Sequence, residues 1–150
     1  MKKNKFIILG GSGFLASHLV NLLEKKNKKI IILDYYNNRK LGKNVRFVKG
    51  SILEKKKLFK IIKPGDIVYH FAAVADLDEA NNEHLKAIEV NIFGTVNVLE
   101  ACIKNKAKKL IFSSSIYARS EQGGFYSTTK LASEMLIERY SNKFKLKYTI

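Results

Sequence analysis

The chain is expected to fold as an α/β protein, a doubly wound parallel sheet with helices on both faces. Three observations predict this. Short apolar runs alternate along the 150 residues with stretches carrying apolar side chains at helical spacing. The first run ends in a glycine cluster, Gly10-Gly11-Ser12-Gly13, and the second ends in a carboxylate, Asp34. Strands alternating with helices specify parallel strands joined by crossovers, and right-handed crossovers distribute the helices over both faces.

Each element follows from its own pattern. Residues 5–9 (KFIIL) form a short apolar run closed by glycine, a buried strand. Residues 14–26 carry Leu15, Leu19, Leu22 and Leu23 at helical spacing. Residues 29–33 (KIIIL) and 45–48 (VRFV) are the second and third strands. A short helix over 53–62 is closed by Pro64-Gly65, and 66–71 (DIVYHF) is the fourth strand. One long helix is predicted over 79–105, with Leu85, Ile88, Ile92, Val96 and Leu99 in register. The fifth strand opens at 109–112, a helix follows over 125–142, and a sixth strand starts at 146–150. Residues 37–44 and 75–82 read as the longest loops. There is no internal repeat, low-complexity linker or domain boundary, so 1–150 is expected to be one domain.

Composition narrows the function classes. A single cysteine, Cys102, excludes a disulfide framework and a cysteine-rich zinc site. No apolar run approaches the roughly 20 residues of a membrane-spanning helix. The apolar stretch after the basic start is only Phe6 to Leu9, too short for a secretion signal, which makes the cytoplasm the expected location. The net charge is +15, yet 24 of the 28 basic residues are lysines scattered at element ends. Lys, Asn, Ile, Phe and Tyr together supply 68 of the 150 residues, a drift that spans charged, polar and apolar types. The charge therefore points to no nucleic-acid partner, although a positive field favours anionic ligands.

Gly10, Gly13, Phe14 and Leu15 stand where a strand turns into a helix, with Ala16 next. Glycine permits the sharp turn and the close approach of a pyrophosphate, and the helix N-terminus offers unpaired N–H groups to it. Asp34 lies 24 residues after Gly10 at the end of the second strand. A carboxylate there accepts hydrogen bonds from an adenosine ribose and repels a 2′-phosphate, which predicts NAD over NADP; Arg39 nearby works against that preference. Tyr126 and Lys130 form Y-x-x-x-K on one face of a helix. A phenol is a weak acid, and an ammonium group one turn away stabilises its anion, so the pair can pass a proton to and from a hydroxyl. The serines 113–115 end the fifth strand, at the sheet edge where ligands bind in such folds. A serine hydroxyl there can hydrogen-bond a reacting oxygen. His70 is expected to be a buried structural histidine and Cys102 a packing residue.

The glycine loop, with the form G-x-x-G-x-x-A, resembles the G-x-x-G-x-x-G of extended short-chain dehydrogenases/reductases, which include the NAD-dependent nucleotide-sugar epimerases and dehydratases. LIFSSSIYA resembles the family's strand-five segment, Asp66 to Ala73 its D-x-V-x-H-x-A-A strand, and Asn91-Ile92-Phe93-Gly94-Thr95 its N-x-x-G-T helix segment. Gly50-Ser51-Ile52 is similar to its G-D-I. The resemblance implies a Rossmann fold, NAD as cofactor, and a nucleotide sugar as substrate. It implies that Ser51 and Ile52 lie at the adenine, that Phe71, Ala72 and Ala73 line the cofactor, and that Asn91 supports the site. It implies Tyr126 and Lys130 as catalytic residues together with a serine, which is Ser115 counted from the strand and Ser113 counted back from Tyr117; the strand count is preferred, because a strand constrains position more than the loop after it. Lys130 would also hold the nicotinamide ribose, with Tyr126 beside it. The expected reaction is epimerisation or dehydration through a keto sugar; an NAD(P)-dependent reductase or a non-catalytic dinucleotide-binding fragment are the alternatives. Ala16 and Ser51 depart from the pattern, and only ten residues separate Ser115 from Tyr126, a short loop for a sugar pocket. The chain also matches only the first half of such an enzyme, stopping after strand six, where the substrate-binding part would follow. Ile88, Ile92, Val96 and Leu99, with Leu131, Met135 and Leu136, are expected to form a stripe that pairs two copies into a homodimer.

Overall fold

The apolar runs become six parallel strands. A computed structural model describes residues 4–150, so the Lys2-Lys3 pair lies outside the described residues. The strands are β1 (Phe6–Leu9), β2 (Ile30–Asp34), β3 (Val45–Lys49), β4 (Ile67–His70), β5 (Lys109–Phe112) and β6 (Tyr148–Thr149). They form one sheet in the order β3-β2-β1-β4-β5-β6, every pair parallel. The order reverses between β1 and β4, which opens a crevice at their carboxyl ends.

Alternate residues of each strand point to opposite faces. On one face Ile7, Leu9, Ile31, Leu33, Val68, Leu110 and Phe112 pack under α2 (Lys55–Ile61), α5 (Gly94–Lys104) and α6 (Gly124–Phe144). On the other, Ile8, Ile30 and Ile32 pack under α1 (Phe14–Lys25) through Ala16, Val20 and Leu23. The cover is uneven. Among the described residues, the core on this second face takes its helical side chains from α1. In β4 and β5 only alternate residues are fully buried: Val68, His70, Leu110 and Phe112 are, whereas Ile67, Tyr69 and Ile111 are half-exposed.

The long helix predicted over 79–105 is broken into pieces. α3 (Leu77–Asn82) and α4 (His84–Ile88) are separated by Glu83, whose φ of −111° and ψ of 50° leave the helical region. Asn81 is tied elsewhere: its Oδ1 accepts the Phe125 N–H at 3.0 Å. A π-helical turn (Glu89–Phe93) then leads into α5. The expected loop over 75–82 is largely α3, capped by Asp76, which accepts the Glu79 N–H at 2.9 Å. α6 runs two residues further than predicted and ends at Lys145, whose φ of 59° is the left-handed stop. α5 and α6 share a face of the sheet as expected, but Leu99 is fully buried against that sheet and drops out of the stripe assigned to pairing.

Candidate active site

A cleft of about 620 Å³ runs along the crevice between β1 and β4. At its floor is the glycine turn. Gly10 has a φ of +77°, and a Cβ there would lie 2.6 Å from the Ala72 backbone nitrogen, so no other residue fits the point where β1 and β4 part. Gly13 caps α1 without any side-chain bond to the first-turn amides, and a Cβ on it would meet only the Gly10 carbonyl, at 3.4 Å. The helix thus presents unpartnered N–H donors and its positive end to open space. That is a cradle suited to a pyrophosphate.

Asp34 stands at one end of the cleft. Its Oδ2 accepts the Ser12 N–H at 2.8 Å and its Oδ1 the Tyr35 N–H at 2.7 Å, which fixes the carboxylate at the rim. Arg39 is engaged elsewhere: its Nη2 lies 2.8 Å from Glu24 Oε2 and also donates to Asn21 Oδ1 at 2.5 Å. Ser51 and Ile52 line the same end, and the Tyr35 hydroxyl donates to Ser51 Oγ at 3.0 Å. Tyr35 was not singled out in the sequence; its place directly after Asp34 was the available signal.

Phe71, Ala72 and Ala73 line the middle of the cleft, and Ser113, Ser114, Tyr126 and Lys130 the other end. Lys130 is 2% exposed, with its Nζ donating to the Ser113 carbonyl at 2.5 Å and lying 4.2 Å from the centre of the Phe112 ring. Burial lowers its pKa to about 8, and the neighbouring Glu134 carboxylate acts the other way. The same Nζ is 6.0 Å from the centre of the Tyr126 ring.

Two expected site residues sit off the lining. Ser115 caps the short 3₁₀ turn after β5 (Ile116–Arg119), its Oγ accepting the Tyr117 N–H at 3.2 Å, because the strand ends at Phe112 and the chain has already turned away. Asn91 is 2% exposed and lies beneath the cleft rather than in it. It occupies the middle of the π turn, accepts the Val74 N–H at 2.8 Å, and donates to the Val74 carbonyl at 3.1 Å and to Thr129 Oγ1 at 3.0 Å. It thereby clamps a cleft-lining backbone to α6.

His70 is buried, as expected. The Thr95 hydroxyl donates to the Asn91 carbonyl at 2.6 Å, so its lone pairs accept from His70 Nε2 at 2.9 Å. That assigns the proton to Nε2 and leaves Nδ1 buried without a partner. Burial, helped by the nearby Lys130 charge, lowers the His70 pKa to about 3. Cys102 is buried in α5 and its thiol is pushed up to about 12, which makes it an inert packing residue.

Residues 6–150 match the NAD dependent epimerase/dehydratase family. The chain belongs to that family. Among its curated relatives, dTDP-D-glucose 4,6-dehydratase of Dictyostelium discoideum is 35% identical over a match covering 95% of this chain and 41% of that protein. UDP-N-acetyl-alpha-D-glucosaminuronate decarboxylase of Bacillus cytotoxicus is 34% identical, covering 75% of this chain and 37% of that protein. The crystal structure of Thermus thermophilus UDP-glucose 4-epimerase in complex with NAD matches with a TM-score of 0.83 at 27% identity, over 96% of this chain and 53% of that one. The chain thus spans about two fifths of these curated relatives and about half of that solved structure. Among the described residues no helix is long and apolar enough to cross a membrane.

Proposed function

We propose that these residues form the NAD-binding half of a cytoplasmic epimerase or dehydratase that acts on a nucleotide sugar through a keto intermediate. The observation that carries this reading is the meeting, in one cleft, of the glycine cradle and Asp34 with Tyr126, Lys130, Ser113 and Ser114. Gly10, Gly13, Phe14 and Leu15 cradle the pyrophosphate, Asp34 holds the adenosine ribose, and Ser51 and Ile52 border the adenine. Phe71, Ala72 and Ala73 flank the dinucleotide, and Lys130 holds the nicotinamide ribose. Bound NAD supplies a hydride acceptor that can also return the hydride.

The protein's own part is the proton. The Tyr126 phenol oxygen takes the proton of a sugar hydroxyl as that carbon becomes a ketone, and gives it back when the ketone is reduced. Lys130 favours the phenolate through its charge. A serine after β5 holds the reacting oxygen. Ser113 suits this place, since it lines the cleft and its own hydroxyl makes only a long 3.4 Å bond to the His70 carbonyl. Ser115, chosen by counting along the strand, is the second candidate; its hydroxyl proton is not used by the bond it accepts from Tyr117.

Titration with both dinucleotides tests the cofactor reading on this chain. NAD is expected to bind at least about tenfold more tightly than NADP, a difference of about 1.4 kcal/mol, because Asp34 faces the 2′ position while Arg39 is held by Glu24. Equal affinity would remove Asp34 from the ribose. In a complete enzyme, Tyr126→Phe is expected to lower kcat by roughly 10²–10⁴-fold, the usual worth of a positioned acid or base, with NAD affinity unchanged. Retained turnover would reassign the proton.

The complete enzyme is proposed to be a homodimer. Ile88, Ile92, Val96, Leu131 and Leu136 remain half-exposed on the helices, and Met135 is 53% exposed. Light scattering of a full-length form is expected to give twice the monomer mass, and Val96→Asp to halve it. A monomer at tens of micromolar would refute the pairing.

A further inference from the structure

Glu134 is a carboxylate that the mechanism above leaves unused. It is 8% exposed and stands on α6 one helical turn beyond Lys130, which itself stands one turn beyond Tyr126. Its Oε1 accepts the Ser114 hydroxyl at 2.5 Å, and its Oε2 lies 3.3 Å from Arg119 Nη2. Ser114 belongs to the turn that leaves β5, and Arg119 ends the 3₁₀ turn that follows it. One buried acid therefore grips the start and the middle of the connection between the serines and the helix carrying Tyr126 and Lys130. That connection is short, and the bonds to Glu134 cross it.

We propose that Glu134 is a positioning residue: it fastens the serine turn onto α6 through Ser114, and from one helical turn away its negative charge offsets the buried Lys130 ammonium without contacting it. The proposal rests on the reading of Tyr126 and Lys130 as the reacting end of the site. It gives the three serines separate duties. Ser114 is the tether, which leaves Ser113 and Ser115 to meet the substrate.

The charge around Lys130 supports this division. The groups facing its ammonium are the neutral His70 imidazole from β4, the Ser113 carbonyl and the Phe112 ring from β5, and the Tyr126 phenol and Glu134 from α6. Glu134 is the one formal negative charge among them. Arg119 meets Glu134 from the solvent side, its side chain 76% exposed, so it screens the carboxylate only weakly.

The test uses this 150-residue chain and separates tether from charge. Lysine labelled at the side-chain nitrogen reports the titration of Lys130 by NMR, assigned by its loss in Lys130→Met. Glu134→Gln keeps an oxygen that accepts from Ser114 but removes the charge. It is expected to move the Lys130 midpoint down by at least half a pH unit and to leave amide exchange in the serine turn nearly unchanged. Ser114→Ala keeps the charge and removes the tether. It is expected to leave the Lys130 midpoint in place and to speed exchange of the Tyr117 and Ala118 amides about tenfold, as the loss of a charge-assisted bond implies. An unmoved Lys130 midpoint in Glu134→Gln would overturn the charge role, and unchanged exchange in Ser114→Ala would overturn the tether. A wild-type chain that fails to bind NAD would instead refute the cofactor reading, through a separate titration.

Discussion

Replacing Lys130 by methionine is expected to make the free protein more stable and to cost it most of its affinity for NAD. Lys130 is 2% exposed, and burial has brought its pKa from 10.5 to about 8. The charged form is therefore the disfavoured one in the fold. Below pH 8 both folded and unfolded chains hold the proton and the penalty is complete. Between about 8 and 10.5 the unfolded chain keeps a proton that the folded chain has released, so stability rises with pH across that window. At about 1.4 kcal/mol per pH unit, the penalty at pH 7 is on the order of 3 kcal/mol. Methionine fills a similar volume without it, so a gain of roughly 1–3 kcal/mol in chemical denaturation is expected, together with loss of the alkaline rise. NAD affinity is expected to fall by roughly tenfold or more, the worth of a hydrogen bond from a charged donor. A variant less stable than the wild type would show that the bond to Ser113 outweighs the burial of charge.

The second large effect concerns acid. His70 is neutral in the fold, with its pKa lowered from 6.5 to about 3, and its Nδ1 has no partner. As pH falls below 6.5 the unfolded chain takes up a proton that the folded chain refuses until about pH 3, so stability declines through that interval. The loss from this one group amounts to several kcal/mol by pH 3, on the order of 4–5 at about 1.4 kcal/mol per unit. His70→Gln retains a donor for Thr95 and cannot titrate. It is expected to cost roughly 1–2 kcal/mol at pH 7 through altered packing against Phe112. Denaturation midpoints measured from pH 7 to 4 should then fall less steeply for the variant. Parallel curves would assign the acid sensitivity to other groups.

The frame of this fold was legible in the chain because it depends on local patterns. Runs such as KIIIL have no face to expose and read as buried strands, and the glycine cluster sits where only glycine can turn. Asp34 and the Tyr126–Lys130 pair follow from chain spacing, and the structure brings them to one cleft. What escaped depends on distant partners. The break at Glu83 and the π turn around Asn91 leave helical periodicity almost intact, and they are fixed by bonds to Phe125, Val74 and Thr129 from other elements. α3 did carry a sequence signal, an Asp followed three residues later by Glu at Asp76 and Glu79, which marks a helix start. Counting could not settle the three serines. Which of them faces the cleft depends on where β5 stops and on the bond between Ser114 and Glu134, and neither is written in the serines themselves.

The one-sided cover of β4 and β5 has a consequence for these 150 residues taken by themselves. Parallel sheets ordinarily keep both faces dry. Here Ile67, Tyr69 and Ile111 stay half-exposed on one face, while the reverse side of the same strands is sealed. A half-exposed apolar face beside the short edge strand β6 invites adhesion, and the charge of +15 opposes it by keeping copies apart. The solubility of these 150 residues is therefore expected to depend on their charge. Added salt, which screens charge and strengthens apolar contact together, should narrow that margin from both sides.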